Sequence, residues 1–300
     1  MKIGIPGRRS DNLRDYRGAS GGGGGGLPIP IGIGAGLGIP GAIITIVLML
    51  LLGGNPFGGG GGTGIDSPFQ QFPNADQVQE QPIPREVDPN ADEVDFVSAV
   101  LDDVQQSWAA VFEADGRQYT PAKLVLFTDA IGTGCGAASS ATGPFYCPLD
   151  QQVYLDLDFF RELTDRFGAP GDFAQAYVIA HELGHHVQRV TGIEEDVRQR
   201  QQSHPNEAND LSVRLELQAD CLAGVWGHSA AQRGILEPGD VDEGLTAAAS
   251  VGDDRIQNAA TGRTNPETWT HGSSEQRTHW FRRGFDQGDA SQCNTFSGDI

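Results

Sequence analysis

Apolar positions recur with helical and strand periods over the C-terminal two-thirds of the chain. Phe96, Val97, Val100, Leu101, Val104, Trp108 and Val111 return every three or four residues and predict an amphipathic helix over about 91–113. Lys123–Thr128 is apolar and β-branched, as a strand requires. In Gln152–Leu157 the residues Val153, Leu155 and Leu157 share one side, with Tyr154 and Asp156 on the other, which predicts a half-buried strand. A helix over about 159–167 follows. Ala174–Val190 has the rhythm of a buried helix. Pro170-Gly171 breaks the chain before it, Asp172 is the expected N-cap with Gln175 three residues on, and Gly192 ends it. Leu211, Leu215, Leu222 and Val225 mark the core side of a long helix over about 206–226. Further helices are expected over 239–250 and 273–285, with a loop at 261–272. The sum is an α+β domain with a small sheet.

The N-terminal third has a different texture. No charge falls between Gly18 and Ile65, and glycine runs occupy Gly21–Gly26 and Gly58–Gly62. Ile39–Leu52 is apolar, and with the uncharged Ile31–Gly38 it is long enough to span a bilayer of roughly 20 helical residues. Pro40 would weaken or kink such a helix, which membranes tolerate. The expected division is a basic, glycine-rich cytoplasmic segment over 1–30, one transmembrane helix over 31–53, a Gly/Pro/Gln-rich linker over 54–89 and a folded domain over 90–300. A cleaved signal peptide fits less well, because no small-residue cleavage site follows the apolar run.

Charge supports that topology. Residues 1–17 hold Lys2, Arg8, Arg9, Arg14 and Arg17 against Asp11 and Asp15, a net +3; from the chain total of −20, the remainder carries −23. A basic segment favours the cytoplasmic side, which leaves the domain extracytoplasmic in the cell membrane. So acidic a surface argues against nucleic acid as a partner. All four cysteines lie beyond the apolar run, as suits an oxidising compartment. Cys135 and Cys147 bracket a short loop and are the expected disulfide. Cys221 with Cys293 would be the remainder, the other pairings stay open, and Cys221 equally suits a buried thiol.

Inside the buried helix the chain runs His181-Glu-Leu-Gly-His185-His186. Histidines four apart lie on one helix face and can reach one zinc ion, while Glu182 faces the metal's open position and can take a proton from a water there. A pair of satisfied core histidines would leave Glu182 as an unexplained buried carboxylate. His186 is rotated about 100° around the helix and is assigned to packing. Catalytic zinc needs a third protein ligand. A histidine further along the same segment is excluded, because Gln188 and Thr191 stand where a glycine and that histidine would be. Glu216-Leu-Gln-Ala-Asp220 offers the other solution, with Glu216 as ligand and Asp220 one turn on, orienting a ligand histidine through its second nitrogen. That face is expected to lie away from the leucine stripe. His204 and His228 are the fallback ligands.

Several segments together resemble the bacterial family known as putative neutral zinc metallopeptidases. They are Gly134-Cys-Gly136, Gly143-Pro-Phe-Tyr-Cys-Pro148, Gly171-Asp-Phe-Ala174, Tyr177–Gln188, Glu216–Asp220, Val251-Gly-Asp-Asp254 and His271-Gly-Ser-Ser-Glu-Gln-Arg277. The resemblance covers nearly the whole chain. It implies a zincin-like, gluzincin-type fold, zinc on His181, His185 and Glu216, and a catalytic Glu182. It does not imply a substrate; a peptide or protein is the one expected from zinc-activated water beside Glu182. Strand Gln152–Leu157 is then the expected edge strand that pairs with extended substrate, with the Cys135–Cys147 loop bordering the cleft. His271 is the expected oxyanion donor, ahead of Tyr177 and His279. The alternative is a zinc-binding extracytoplasmic scaffold without proteolytic activity; an intact Glu182 argues against it.

Overall fold

The computed structural model describes residues 1–4, 7–18 and 79–300. The chain is a mixed α+β fold. Strands β1 (Leu13–Asp15), β2 (Lys123–Phe127), β5 (Phe145–Cys147) and β6 (Gln152–Asp156) form one sheet in the order β1-β2-β6-β5. Strands β1, β2 and β6 run parallel, with Leu124 opposite Leu13 on one side and Val153 on the other. Strand β5 is antiparallel to β6, with Tyr146 opposite Val153. A separate hairpin pairs β3 (Ala130–Thr133) with β4 (Gly136–Ser139). Leu124, Val125, Leu126 and Phe127 are all buried, as expected of a parallel strand covered on both faces.

The predicted helices are present with shifted ends: α1 (Ala91–Ala114), α2 (Asp158–Asp165), α3 (Asp172–Thr191), α5 (Ala208–Gln232), α6 (Asp240–Ser250) and α8 (Ser274–Gln287). Two more lie where none was expected. Helix α4 (Ile193–Ser203) restarts directly after Gly192, whose φ of 86° ends α3. Helix α7 (Asp253–Thr261) begins just before the expected loop. Asp172 is the first residue of α3 and not its cap. That place is taken by Gly171, and Glu243 of α6 accepts the hydrogen bond of Phe173 N–H at 3.1 Å.

Helices α3, α5 and α8 pack closely enough to exclude side chains at their crossings. A Cβ on Gly284 of α8 would lie 1.9 Å from the Cys221 carbonyl oxygen of α5, and one on Gly184 of α3 would lie 3.1 Å from the Ala219 carbonyl oxygen. The glycine within the histidine motif thus lets α5 approach the side of α3 that carries His181 and His185. The face that carries Glu216 and Asp220 is consequently packed against other helices, as the leucine side is. Leu217, Ala219, Asp220 and Cys221 are all buried, because α5 is covered by α3 on one side and α8 on another.

Three expectations are corrected here. Residues 1–18 are not a segment apart from the domain. They supply β1, and Tyr16 N–H donates to the Leu126 carbonyl while Leu124 N–H donates to the Asn12 carbonyl, each at 2.9 Å. The folded body also reaches back before residue 90, since Asp88 accepts from Arg17 at 2.7 Å. Strand β6 is not at the sheet edge, because β5 covers it on the side away from β2. The expected transmembrane helix at 31–53 and most of the expected linker lie outside the described residues. Among the described residues no helix is long and apolar enough to cross a membrane.

Candidate metal centre

Helix α3 presents His181 and His185 one turn apart, and α5 brings Glu216 against both. His181 Nε2 lies 3.2 Å from one Glu216 carboxylate oxygen, and His185 Nε2 lies 3.5 Å from the other. Their donor atoms all fall within 4.8 Å of one another. A tetrahedral zinc ion with bonds of ~2.0–2.2 Å needs donors ~3.3–3.6 Å apart, so the separations suit it.

The second nitrogens fix the tautomers. Asp220 can only accept, so His181 Nδ1 carries the proton and donates to Asp220 Oδ1 at 2.9 Å. His185 Nδ1 donates to Gln188 Oε1 at 2.8 Å, and Gln188 is itself held by its amide donating to the Leu215 carbonyl at 2.7 Å. Both Nε2 atoms then face the space they share with Glu216, where a metal ion would take the place of any proton. The donor chemistry, two neutral imidazoles and one carboxylate, fits zinc.

Electrostatics agree with a cation site. Burial works against charge on His181, but Asp220 and Glu216 outweigh it and raise its pKa to about 10. Burial also opposes charge on Glu216, yet His185, His181 and His271 hold it well below the usual carboxylate range. Glu182 behaves differently. Its burial raises its pKa, against the opposing pull of His181 and His185. That shift moves a carboxyl towards the range where it can both take and return a proton.

All these groups open on a cleft of about 510 Å³. Its walls are largely apolar, with Phe145 and Tyr146 from β5, Phe159 from α2 and Phe167 just after it, Val178 from α3 and Leu215 from α5. The disulfide Cys135–Cys147 ties the β3–β4 hairpin to β5, and both elements line the cleft. Cys221 pairs with Cys293, so none of the four cysteines is a free thiol. His271 also lines the cleft, from the loop before α8. Its Nδ1 lies 3.1 Å from Asp253 Oδ1, and Asp253 Oδ2 accepts the backbone N–H groups of Thr270, His271 and Gly272. Burial opposes charge on His271, but the hydrogen bond with Asp253 and the charge of Glu216 raise its pKa above the ordinary value.

Of the other candidates only Tyr177 lines the cleft. Tyr177 directs its hydroxyl at Asp220 Oδ1, 2.5 Å away. His186 is wholly buried between the Tyr146 hydroxyl at 3.0 Å and the Thr120 carbonyl at 2.7 Å. His279 is exposed beside Trp280, His204 is exposed beside Ser203, and His228 bonds to the Phe285 carbonyl. Three residues had no role in the sequence reading: Gln188, Asp253 and Arg277. Arg277 is 3 % exposed and grips Asp220 from behind. The signal lay in the segments Tyr177–Gln188, Val251–Asp254 and His271–Arg277, whose polar residues have no partner until the helices are packed.

Fold and site together define an α+β protein with a zinc-type donor set at the floor of a cleft. The chain belongs to the putative neutral zinc metallopeptidase family, whose model matches residues 5–296. It is similar to the uncharacterized protein YpfJ of Escherichia coli, at 47 % identity over 98 % of both chains. It is also similar to the uncharacterized proteins Mb2605 of Mycobacterium bovis and Rv2575 of Mycobacterium tuberculosis, each at 52 % identity over 60 % of this chain and 64 % of the relative. No solved structure matches.

Proposed function

We propose that the chain is a zinc-dependent endopeptidase of gluzincin type, membrane-associated through its apolar N-terminal third, with its metal site in an extracytoplasmic compartment. The observation that carries the reading is the convergence of His181, His185 and Glu216 with both Nδ1 protons already bound elsewhere. A zinc ion held there supplies Lewis acidity towards a substrate carbonyl and lowers the pKa of a bound water.

The protein's own groups carry the rest. Glu182 takes a proton from the attacking water as its oxygen bonds to the carbonyl carbon. The C–N bond then breaks, and Glu182 hands that proton to the departing amine. His271, held by Asp253, donates to the carbonyl oxygen as negative charge develops on it. The sheet edge facing the cleft is β5, and its free side suits an extended peptide in place of the β6 edge first expected. The apolar walls favour a bulky apolar side chain next to the scissile bond.

The deciding experiment is cleavage of a broad peptide library by the full chain loaded with zinc, beside Glu182→Gln. The expected result is cleavage by wild type and its loss in the variant, with one zinc retained per chain in both. Zinc retained with no cleavage by wild type would turn the reading towards a zinc-stabilised binding module.

A further inference from the structure

Residues 1–4 and 7–18 and the metal site are parts of one folded body. Strand β1 pairs in parallel with β2 over Leu13–Asp15, and Leu13 is buried in the main core. Ser10 N–H donates to Ser98 Oγ of α1 at 2.9 Å, and Lys2 N–H donates to the Ile235 carbonyl beyond α5 at 2.7 Å. At the other end of the segment, Gly18 N–H donates to the Gln81 carbonyl at 3.2 Å. The described residues on either side of 19–78 are thus held together at one point, where Asp15 N–H also donates to Glu80 at 3.1 Å.

Three of its arginines have acidic partners in the folded body, while Arg8 is exposed. Arg17 is almost wholly buried and contacts Asp15 and Asp88, each at 2.7 Å. Arg9 reaches Asp15 at 3.3 Å and Asp88 at 3.5 Å, and Arg14 lies 3.8 Å from Glu80. Their charge is accounted for by structure, and it need not mark a cytoplasmic segment. A single crossing between residues 18 and 81 would separate hydrogen-bonded partners by a hydrocarbon layer of ~30 Å. It would also strip β1 from β2 and leave the Asp88 carboxylate buried without its guanidinium.

We propose that residues 1–4, 7–18 and the metal site lie on the same side of the membrane, and that the chain between them does not cross it. Any crossings between Gly18 and Gln81 must be even in number. Two would need ~40 apolar residues, more than the stretch 31–52 provides. Its uninterrupted apolar core, Ile39–Leu52, is shorter than the ~20 residues that even one crossing needs.

The native cysteines all sit in disulfides, so one introduced cysteine is the sole free thiol. Arg8→Cys, Thr63→Cys and Arg263→Cys would each be made in the full chain. Spheroplasts would be treated with a membrane-impermeant maleimide, before and after detergent lysis, with Asp11→Cys as a second N-terminal position should Arg8→Cys fail to form its disulfides. Equal labelling of all three before lysis is expected. Equal labelling only after lysis also supports a shared side, and moves that side to the interior. Labelling of Arg263→Cys before lysis with Arg8→Cys protected until lysis overturns the proposal, as does Thr63→Cys on the side opposite the other two.

Discussion

Arg277 grips both carboxylate oxygens of Asp220, donating from Nε to Oδ2 at 2.8 Å and from an Nη to Oδ1 at 2.9 Å. The same Oδ1 accepts from His181 Nδ1. The guanidinium therefore fixes the carboxylate that fixes the imidazole. Burial alone would raise the Asp220 carboxyl, but Arg277 and His181 hold it below its ordinary value, so it stays an anion and an acceptor. A lysine keeps the charge and loses the planar fork. Arg277→Lys is expected to weaken zinc binding about 10- to 100-fold, the usual effect of disturbing a group that orients a ligand. Competition with a chelator of known affinity measures it, and Asp220→Asn should weaken binding to a similar degree.

His271 should separate binding from turnover. It lines the cleft and is coupled to Glu216 by charge, but it is not one of the three residues whose donor atoms converge. His271→Ala is expected to leave zinc content at one per chain and to lower kcat about 100-fold, the loss typical of one oxyanion donor. Asp253→Asn should act in the same direction and less strongly, since it acts through the orientation of His271. Unchanged kcat in His271→Ala would remove that residue from the reaction.

Much of this site was legible before folding, because its parts are local. His181, Glu182 and His185 are related by one helical turn, and so are Glu216 and Asp220. Asp172 and Gly192 marked the ends of α3 to within a residue. Other parts are set by contacts distant in sequence. Strand β1 is three residues long and too short to show a period. Its place depends on β2, more than a hundred residues away. Strand β5 is equally short, so the longer, alternating β6 took its place as the expected edge. Helix α4 carries a single buried residue, Val197, and thus shows no apolar stripe. The arginines of residues 9–17 resembled a topology signal because their acidic partners, Asp88 and Glu80, lie beyond the glycine-rich stretch.

The two disulfides should fail differently when removed. Cys135–Cys147 closes a loop with a sequence separation of 12, and Cys221–Cys293 one of 72. Loop-closure entropy assigns about 3 kcal/mol to the first and about 4 kcal/mol to the second. The Cys221–Cys293 bond also secures the C-terminus against α5. Cys221→Ser/Cys293→Ser is therefore expected to lower Tm more than Cys135→Ser/Cys147→Ser. The latter frees the hairpin that borders the cleft, and should raise KM for peptide with zinc content unchanged. Thermal melts and steady-state kinetics on the two double variants check the split.

Asp88 predicts how the N-terminal segment responds to acid. Burial would raise its carboxyl, but the hydrogen bonds from Arg17 and from Asn90 N–H, with the charges of Arg17 and Arg9, outweigh it. Its folded pKa thus lies below the ordinary value of 3.8. A carboxyl depressed on folding contributes stability that is fully present above the unfolded pKa and is lost as pH falls through the folded one. Asp88→Asn should cost about 3 kcal/mol at pH 7, because it leaves a buried guanidinium short of one anion. The gap in stability between wild type and variant should hold from neutral pH down to about pH 5, then narrow below the ordinary carboxylate value. Hydrogen exchange of the Tyr16 and Leu124 amides, which bridge the N-terminal segment and β2, reports the loss locally. If those amides stay protected in Asp88→Asn at every pH, the ion pair is not what secures β1 to the sheet.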